Sequence, residues 1–263
     1  MRGEALRFAK VLACLCAVGV AVLAGNALAQ DRPPIVAAAS SMQVAVTEIA
    51  ARFEAETGRR VTLNFGSSGN FARQIQQGAP FELFMSADED FVFKLADAGL
   101  TRDRGTLYAA GRIVLYAPKG SKLKLDAELK GLRAGWSEVR KFAIANPELA
   151  PYGRAAEQAL RKLNLWDLVQ PKLVLGENIA QTAQFVTTRS AEAGIIALSL
   201  ALAPELARQG DHVLLPKSLH APLLQRMVLT TRAGETAAMF YRYMQEPTAR
   251  AILARHGFVP PGE

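Results

Sequence analysis

Nine short runs rich in β-formers recur along this chain, and helical patterns separate several of them. No other feature limits the fold as strongly. The runs are Pro34–Ala38, Val61–Phe65, Leu83–Ser86, Gly111–Ala117, Phe142–Ala145, Lys172–Gly176, Gly194–Leu198, His212–Leu215 and Arg226–Thr230. Between the first two, Met42, Ala45, Ile49 and Phe53 recur at helical spacing and Gly58 stops the pattern. Shorter helices are expected at about Gly69 to Gln77, Pro151 to Asn164 and from Asn178 on, and a long last one from about Glu235 to His256. Alternation of this kind predicts an α/β fold with mainly parallel sheets.

Residues 1–29 read as a secretory signal: Arg2, Arg7 and Lys10 precede an apolar run that ends at Ala27-Leu28-Ala29. Both cysteines, Cys14 and Cys16, leave with it, so no disulfide, thiolate metal site or cysteine nucleophile is expected afterwards. No later segment reaches the roughly 18 apolar residues of a membrane span. An exported, soluble protein of the periplasm is expected. The formal charge of +7 comes without a Lys/Arg block, which argues against nucleic acid as a partner. Ala117-Pro118-Lys119-Gly120 reads as a crossing between two lobes and Ala221-Pro222 as the return. Lobe I would then hold residues 30–116 and 222–263, and lobe II residues 117–221.

Four strand-to-helix turns carry small or polar residues: Ser40-Ser41, Gly66-Ser67-Ser68-Gly69, Ala150-Pro151-Tyr152-Gly153 and Glu177-Asn178-Ile179. Each helix start leaves backbone N–H groups without intrahelical partners at the positive end of the helix dipole. Helix starts that converge make an anion site without Lys or Arg. Ser and Asn at such places also serve as plain caps. Four of them in one α/β chain, at the carboxyl ends of parallel strands, point to a ligand cleft.

Catalytic patterns are poorly supported. His212, His220 and His256 have no metal-ligand spacing, and neither Ser41 nor Ser68 sits in G-x-S-x-G. The run Asp88-Glu89-Asp90 reads as a helix start favoured by the dipole rather than as a cation site. Trp136 and Trp166 read as packing residues. No catalytic residue, cationic metal site or cofactor is expected.

At the same turns the chain resembles the periplasmic molybdate-binding proteins, the solute receptors of ABC importers. The resemblance runs from about Ile35 to Val259. It rests on Ala37-Ala38-Ala39-Ser40-Ser41, on Gly66-Ser67-Ser68-Gly69 with Ala72-Arg73-Gln74-Ile75, and on Gly78-Ala79-Pro80. Leu83 to Asp88, Asn146 to Gly153, Ala193 to Ser199 and the tail Pro247 to Gly257 continue it in order.

The resemblance implies a type II periplasmic-binding fold, two α/β lobes joined by a hinge and closing on one tetrahedral oxyanion. It implies Ser40, Ser41 and Ser68 as donors from lobe I, with Ser67 next in line, and backbone N–H groups of Tyr152 and Ile179 from lobe II. Many relatives carry a tyrosine hydroxyl at the position that aligns with Ala197, and this chain resembles a branch with Pro-Tyr-Gly at the earlier turn that dispenses with it. The implied ligand is molybdate or tungstate, the implied partner an inner-membrane ABC permease, and the expected state a monomer. The rival readings are a receptor of the same fold for sulfate, phosphate or another small anion, and a secreted hydrolase using Ser41 or Ser68.

Overall fold

The computed structural model describes residues 32–261. The signal read at residues 1–29 lies outside the described residues. Two five-stranded mixed sheets with flanking helices build the molecule. In the first half, β1 (Ile35–Ala39), α1 (Gln43–Thr57), β2 (Thr62–Gly66), α2 (Ser68–Gln76), β3 (Phe81–Met85), α3 (Asp90–Asp97) and β4 (Thr106–Gly111) follow one another. The second half holds β5 (Ile113–Pro118), α4 (Lys130–Ala134), β6 (Phe142–Ala145), α5 (Pro151–Lys162), α6 (Trp166–Val169) and β7 (Leu173–Gly176). It goes on through α7 (Ile179–Thr187), β8 (Ala193–Ala197), α8 (Leu198–Ala201), α9 (Pro204–Gln209) and β9 (Gly210–Leu214). The chain then returns to the first half as β10 (Leu223–Leu229), α10 (Glu235–Tyr243) and α11 (Pro247–Arg255).

The first sheet has the order β2-β1-β3-β10-β4 and the second β7-β6-β8-β5-β9. The expectation of mainly parallel sheets needs correcting. β1 runs parallel to β2 and β3, and β6 parallel to β7 and β8. But β10 is antiparallel to β3 and β4, and β5 to β8 and β9. Each reversed strand is the one by which the chain enters a sheet from the other half, so it arrives without the crossover helix that makes a parallel neighbour. The run Gly111–Ala117 is two strands, β4 and β5, parted at Arg112. The chain therefore passes between sheets at Arg112. Ala117-Pro118-Lys119-Gly120 ends β5 and turns within the second half, with Gly120 at φ +77°.

Local chemistry explains the element ends. Gly58 closes α1 in the left-handed region at φ +69°. Pro151 opens α5 at a position whose N–H has no helical partner anyway. The long last helix is instead two, because a proline N lacks the hydrogen and its ring collides with the preceding turn. Pro247 therefore begins α11 rather than continuing α10. The central strands β6 and β8 are buried throughout, as strands covered on both faces must be. Separate clusters around the first sheet, including Ile49, Phe53 and Phe240 on one face and Phe71, Phe84 and Leu95 on the other, make its core.

Candidate functional site

Strand register puts the four turns in pairs. Ala39 is opposite Gly66 at the ends of β1 and β2, so the Ser40 and Ser67 turns leave the first sheet side by side. Ala145 is opposite Gly176 at the ends of β6 and β7, which does the same for the turns that lead to Tyr152 and Ile179. Ser40–Met42 forms one 3-10 turn before α1, while Ser67 caps α2 by accepting from the Asn70 N–H at 3.3 Å. Asn178 caps α7 by accepting from the N–H groups of Ala180 and Gln181, each at 3.0 Å. Ile179 is then the first residue of α7 and Tyr152 the second of α5, positions whose N–H groups have no carbonyl behind them in the helix.

The two pairs face each other and touch. Ser40 Oγ donates to Asn178 Oδ1 at 3.1 Å and accepts from the Ala180 N–H at 3.2 Å, spanning the first turn of α7. Ser199 Oγ donates to the Ser41 carbonyl at 2.8 Å. The Gly69 N–H donates to the Leu149 carbonyl at 2.9 Å. A Cβ on Gly69 would sit 2.9 Å from that oxygen, so the close approach requires glycine there. Outside these contacts Arg154 pairs with Asp88 and Asn70 donates to Glu177.

Ser40, Ser41, Ser67, Ser68, Tyr152 and Ile179 are all at most 3% exposed. Ser68 Oγ accepts from the Ala87 N–H at 3.0 Å, which leaves its proton to give. Ser41 Oγ is different: it is buried and makes no hydrogen bond of good geometry. Beside it lies the hydroxyl of Tyr152. Burial pushes the Tyr152 phenol far up, outweighing the opposing effects of Ser41 and Gln225, so it stays protonated at neutral pH. Tyr152 Oη accepts from Gln225 Nε2 at 2.9 Å, and Gln225 Oε1 accepts from the Tyr108 hydroxyl at 3.1 Å.

A cleft of about 730 Å³ between the halves reaches Ser40, Asn178 and Ala180 but not Ser41, Ser68, Tyr152 or Ile179. Those four are buried. The candidate site is this buried set of hydroxyl and N–H groups rather than the cleft itself. Asp88, at its edge, accepts from the Phe91 N–H at 3.2 Å, in keeping with the helix-start reading of the acidic run. Among the described residues no three His, Cys, Asp or Glu side chains gather in a metal-holding group. The described histidines lie elsewhere: His256 meets Glu48, His220 Nδ1 meets the Ala221 carbonyl, and His212 sits on β9 opposite Tyr116. Ala197 ends β8, fully buried opposite Ile113, and its methyl group offers no donor.

Sequence reasoning placed the four turns but missed what joins them. Asn178 stood out only as a cap, and its bond to Ser40 was not visible. Ser199 was noticed only as the end of a motif. Tyr108 and Gln225 carried no signal, except that a polar Gln inside an apolar strand run, Leu223 to Leu229, asks for a buried partner. Asp88 and Arg154 belong to different halves and have no local pattern in common.

Residues 35–259 match the model of a family described as bacterial extracellular solute-binding proteins. The molybdate-binding protein ModA of Azotobacter vinelandii is 35% identical over 252 residues, covering 92% of this chain and 95% of its own. ModA of Rhodobacter capsulatus is 34% identical over 254 residues, with the same coverages. The solved periplasmic molybdate-binding protein of Azotobacter vinelandii superposes with a TM-score of 0.79 at 31% identity, covering 88% of this chain and all of that one.

Proposed function

Since the chain belongs to the bacterial extracellular solute-binding protein family, in company with its molybdate-binding ModA members, we propose that it captures molybdate between its halves. Tungstate, a dianion of the same shape, belongs to the same reading. Both are fully deprotonated at neutral pH, so a site for them needs donors and no acceptor. Ser41 supports this most directly, as a hydroxyl buried without a partner where four turns meet. A buried polar group of that kind is costly unless something else satisfies it.

The proposed shell takes O–H groups from Ser40, Ser41 and Ser68 and N–H groups from Tyr152 and Ile179, with Ser67 flanking. Ser40 would turn its proton from Asn178 to the anion. Each charge-assisted hydrogen bond contributes about 1.5–3 kcal/mol, so roughly six offset much of the cost of drying a dianion. Donors come from both sheet-centred halves, so the ligand favours their closed arrangement over an open one. The halves act as lobes that hinge at Arg112 and at Ala221-Pro222. Donors held on main chain and helix starts cannot contract around a smaller anion, which disfavours sulfate.

In this reading the protein is a monomeric, non-catalytic receptor that works in the periplasm and passes its anion to an ABC permease. Thermal unfolding of anion-free protein tests it. Molybdate at a hundred times its dissociation constant adds about 2.7 kcal/mol, or roughly 5–10 °C in Tm for a domain of this size. No shift at any molybdate concentration would remove the reading. Covalent labelling of Ser41 or Ser68 by a serine-directed phosphonate would instead favour a hydrolase.

A further inference from the structure

Ser41 is flanked by a chain of buried hydrogen bonds that runs from Tyr108 through Gln225 to Tyr152. Tyr108, Gln225, Tyr152 and Ser41 are at most 4% exposed. Tyr108 is the residue of β4 skipped where the register with β10 shifts between Gln225 and Arg226, and such a bulge re-aims a side chain. Its hydroxyl gives its proton to Gln225 Oε1 at 3.1 Å, the shorter of two contacts, the other being the Ser86 carbonyl at 3.4 Å. That turns the Gln225 amide nitrogen towards Tyr152, whose oxygen accepts from it. Gly111 lets the end of β4 come close enough, since a Cβ there would meet Tyr152 Oη at 2.2 Å and Gln225 Nε2 at 2.8 Å.

The lone pair of Tyr152 is thus taken and its own proton is left to give. The neighbouring hydroxyl is Ser41, the one without a partner. We propose that Tyr152 is a positioning residue, whose hydroxyl donates to Ser41 Oγ when ligand binds and so commits the Ser41 proton to the oxyanion. Polarity runs one way, from Tyr108 through Gln225 and Tyr152 to Ser41. With one lone pair of Ser41 Oγ engaged by Tyr152, its proton is the group it presents to the ligand. A fully deprotonated oxyanion accepts that bond on any oxygen, whereas a ligand that carries a proton, such as hydrogen phosphate, finds no acceptor in Ser41. The inference rests on the oxyanion reading and adds to it a device that selects the protonation state of the ligand.

The test is a double-mutant cycle on Ser41 and Tyr152, read by titration with sodium molybdate and with inorganic phosphate near neutral pH. Folding of each variant is checked by thermal unfolding. Tyr152→Phe is expected to weaken molybdate binding up to about tenfold, the loss of one buried neutral hydrogen bond. In a Ser41→Ala background the same change is expected to cost less than about twofold, because the two residues act as one unit. Tyr152→Phe is also expected to narrow the preference for molybdate over phosphate, and Gln225→Met to reproduce its effect. Equal losses in both backgrounds would overturn the relay, as would unchanged molybdate binding in both Tyr152→Phe and Gln225→Met. Either result with molybdate still bound by the unaltered protein leaves the receptor reading standing. Failure of the unaltered protein to bind molybdate overturns both.

Discussion

Ser199 Oγ donates to the main-chain carbonyl of Ser41 at 2.8 Å, so a side chain of the second half holds the backbone of a turn that belongs to the first. Both residues are buried, at 4% and 1% exposure. The bond ties the two halves together at the Ser41 turn.

Ser199→Ala removes that hold without touching the proposed shell. A neutral hydrogen bond of this kind contributes about 0.5–1.5 kcal/mol net. Molybdate affinity is expected to fall about two- to tenfold, measured by calorimetry. A Ser199→Thr variant keeps the hydroxyl and should recover most of the loss.

Ser41→Ala separates binding from folding. The hydroxyl makes no hydrogen bond of good geometry within the protein, so removing it relieves a poorly met polar group. The Tm without ligand should stay the same or rise slightly, while molybdate affinity falls about 10- to 100-fold. Adding Ser68→Ala should deepen the loss of binding with the fold intact, as circular dichroism would show.

Asp88 gives a pH signature with a definite sign. Burial raises its carboxyl above the ordinary value of 3.8 and outweighs the lowering by Arg154, Phe91 and Ser86. The folded state therefore holds the proton more tightly than the unfolded state does. The contribution of Asp88 to stability is full below pH 3.8 and is lost as pH rises through the folded-state pKa. Thermal unfolding of the wild type and of Asp88→Asn across that window should show the wild type losing ground to the variant as pH increases. A difference that grew in favour of the wild type would contradict this.

The fold was legible in the sequence where patterns are local. Phe142–Ala145 was read to the residue, and Ile35–Ala39 and Ala193–Ala197 to within one, because apolar runs bounded by turn residues mark covered strands. The four turns were legible because caps and small residues leave their mark near helix starts. Thr106–Gly111 was missed and Arg112 lay inside an apparent strand, since nothing local separates two strands that follow each other into different sheets. The antiparallel entry of β5 and β10, and the bonds from Ser40 to Asn178 and from Gln225 to Tyr152, join residues far apart in sequence, 138 positions in the case of Ser40 and Asn178. No periodicity encodes them. At the candidate site, the four turns were legible and the bonds that join them were not.

Gly111→Ala probes how tightly the hinge end of β4 meets α5. The new methyl carbon would sit 2.2 Å from Tyr152 Oη, so either the tyrosine or the strand must shift. Overpacking of this sort costs about 1–3 kcal/mol. The expected result is a Tm lowered by roughly 2–12 °C together with weaker molybdate binding. An unchanged Tm would mean that the two halves meet more loosely here than their geometry indicates.

Calorimetric titration of anion-free protein with molybdate, tungstate, sulfate and phosphate tests the account most directly. One molybdate or tungstate per chain is expected to bind, with sulfate and phosphate much weaker, and Ser41→Ala with Ser68→Ala should abolish most of the heat. Sulfate binding as tightly as molybdate, or serine variants that bind molybdate like the unaltered protein, would contradict it.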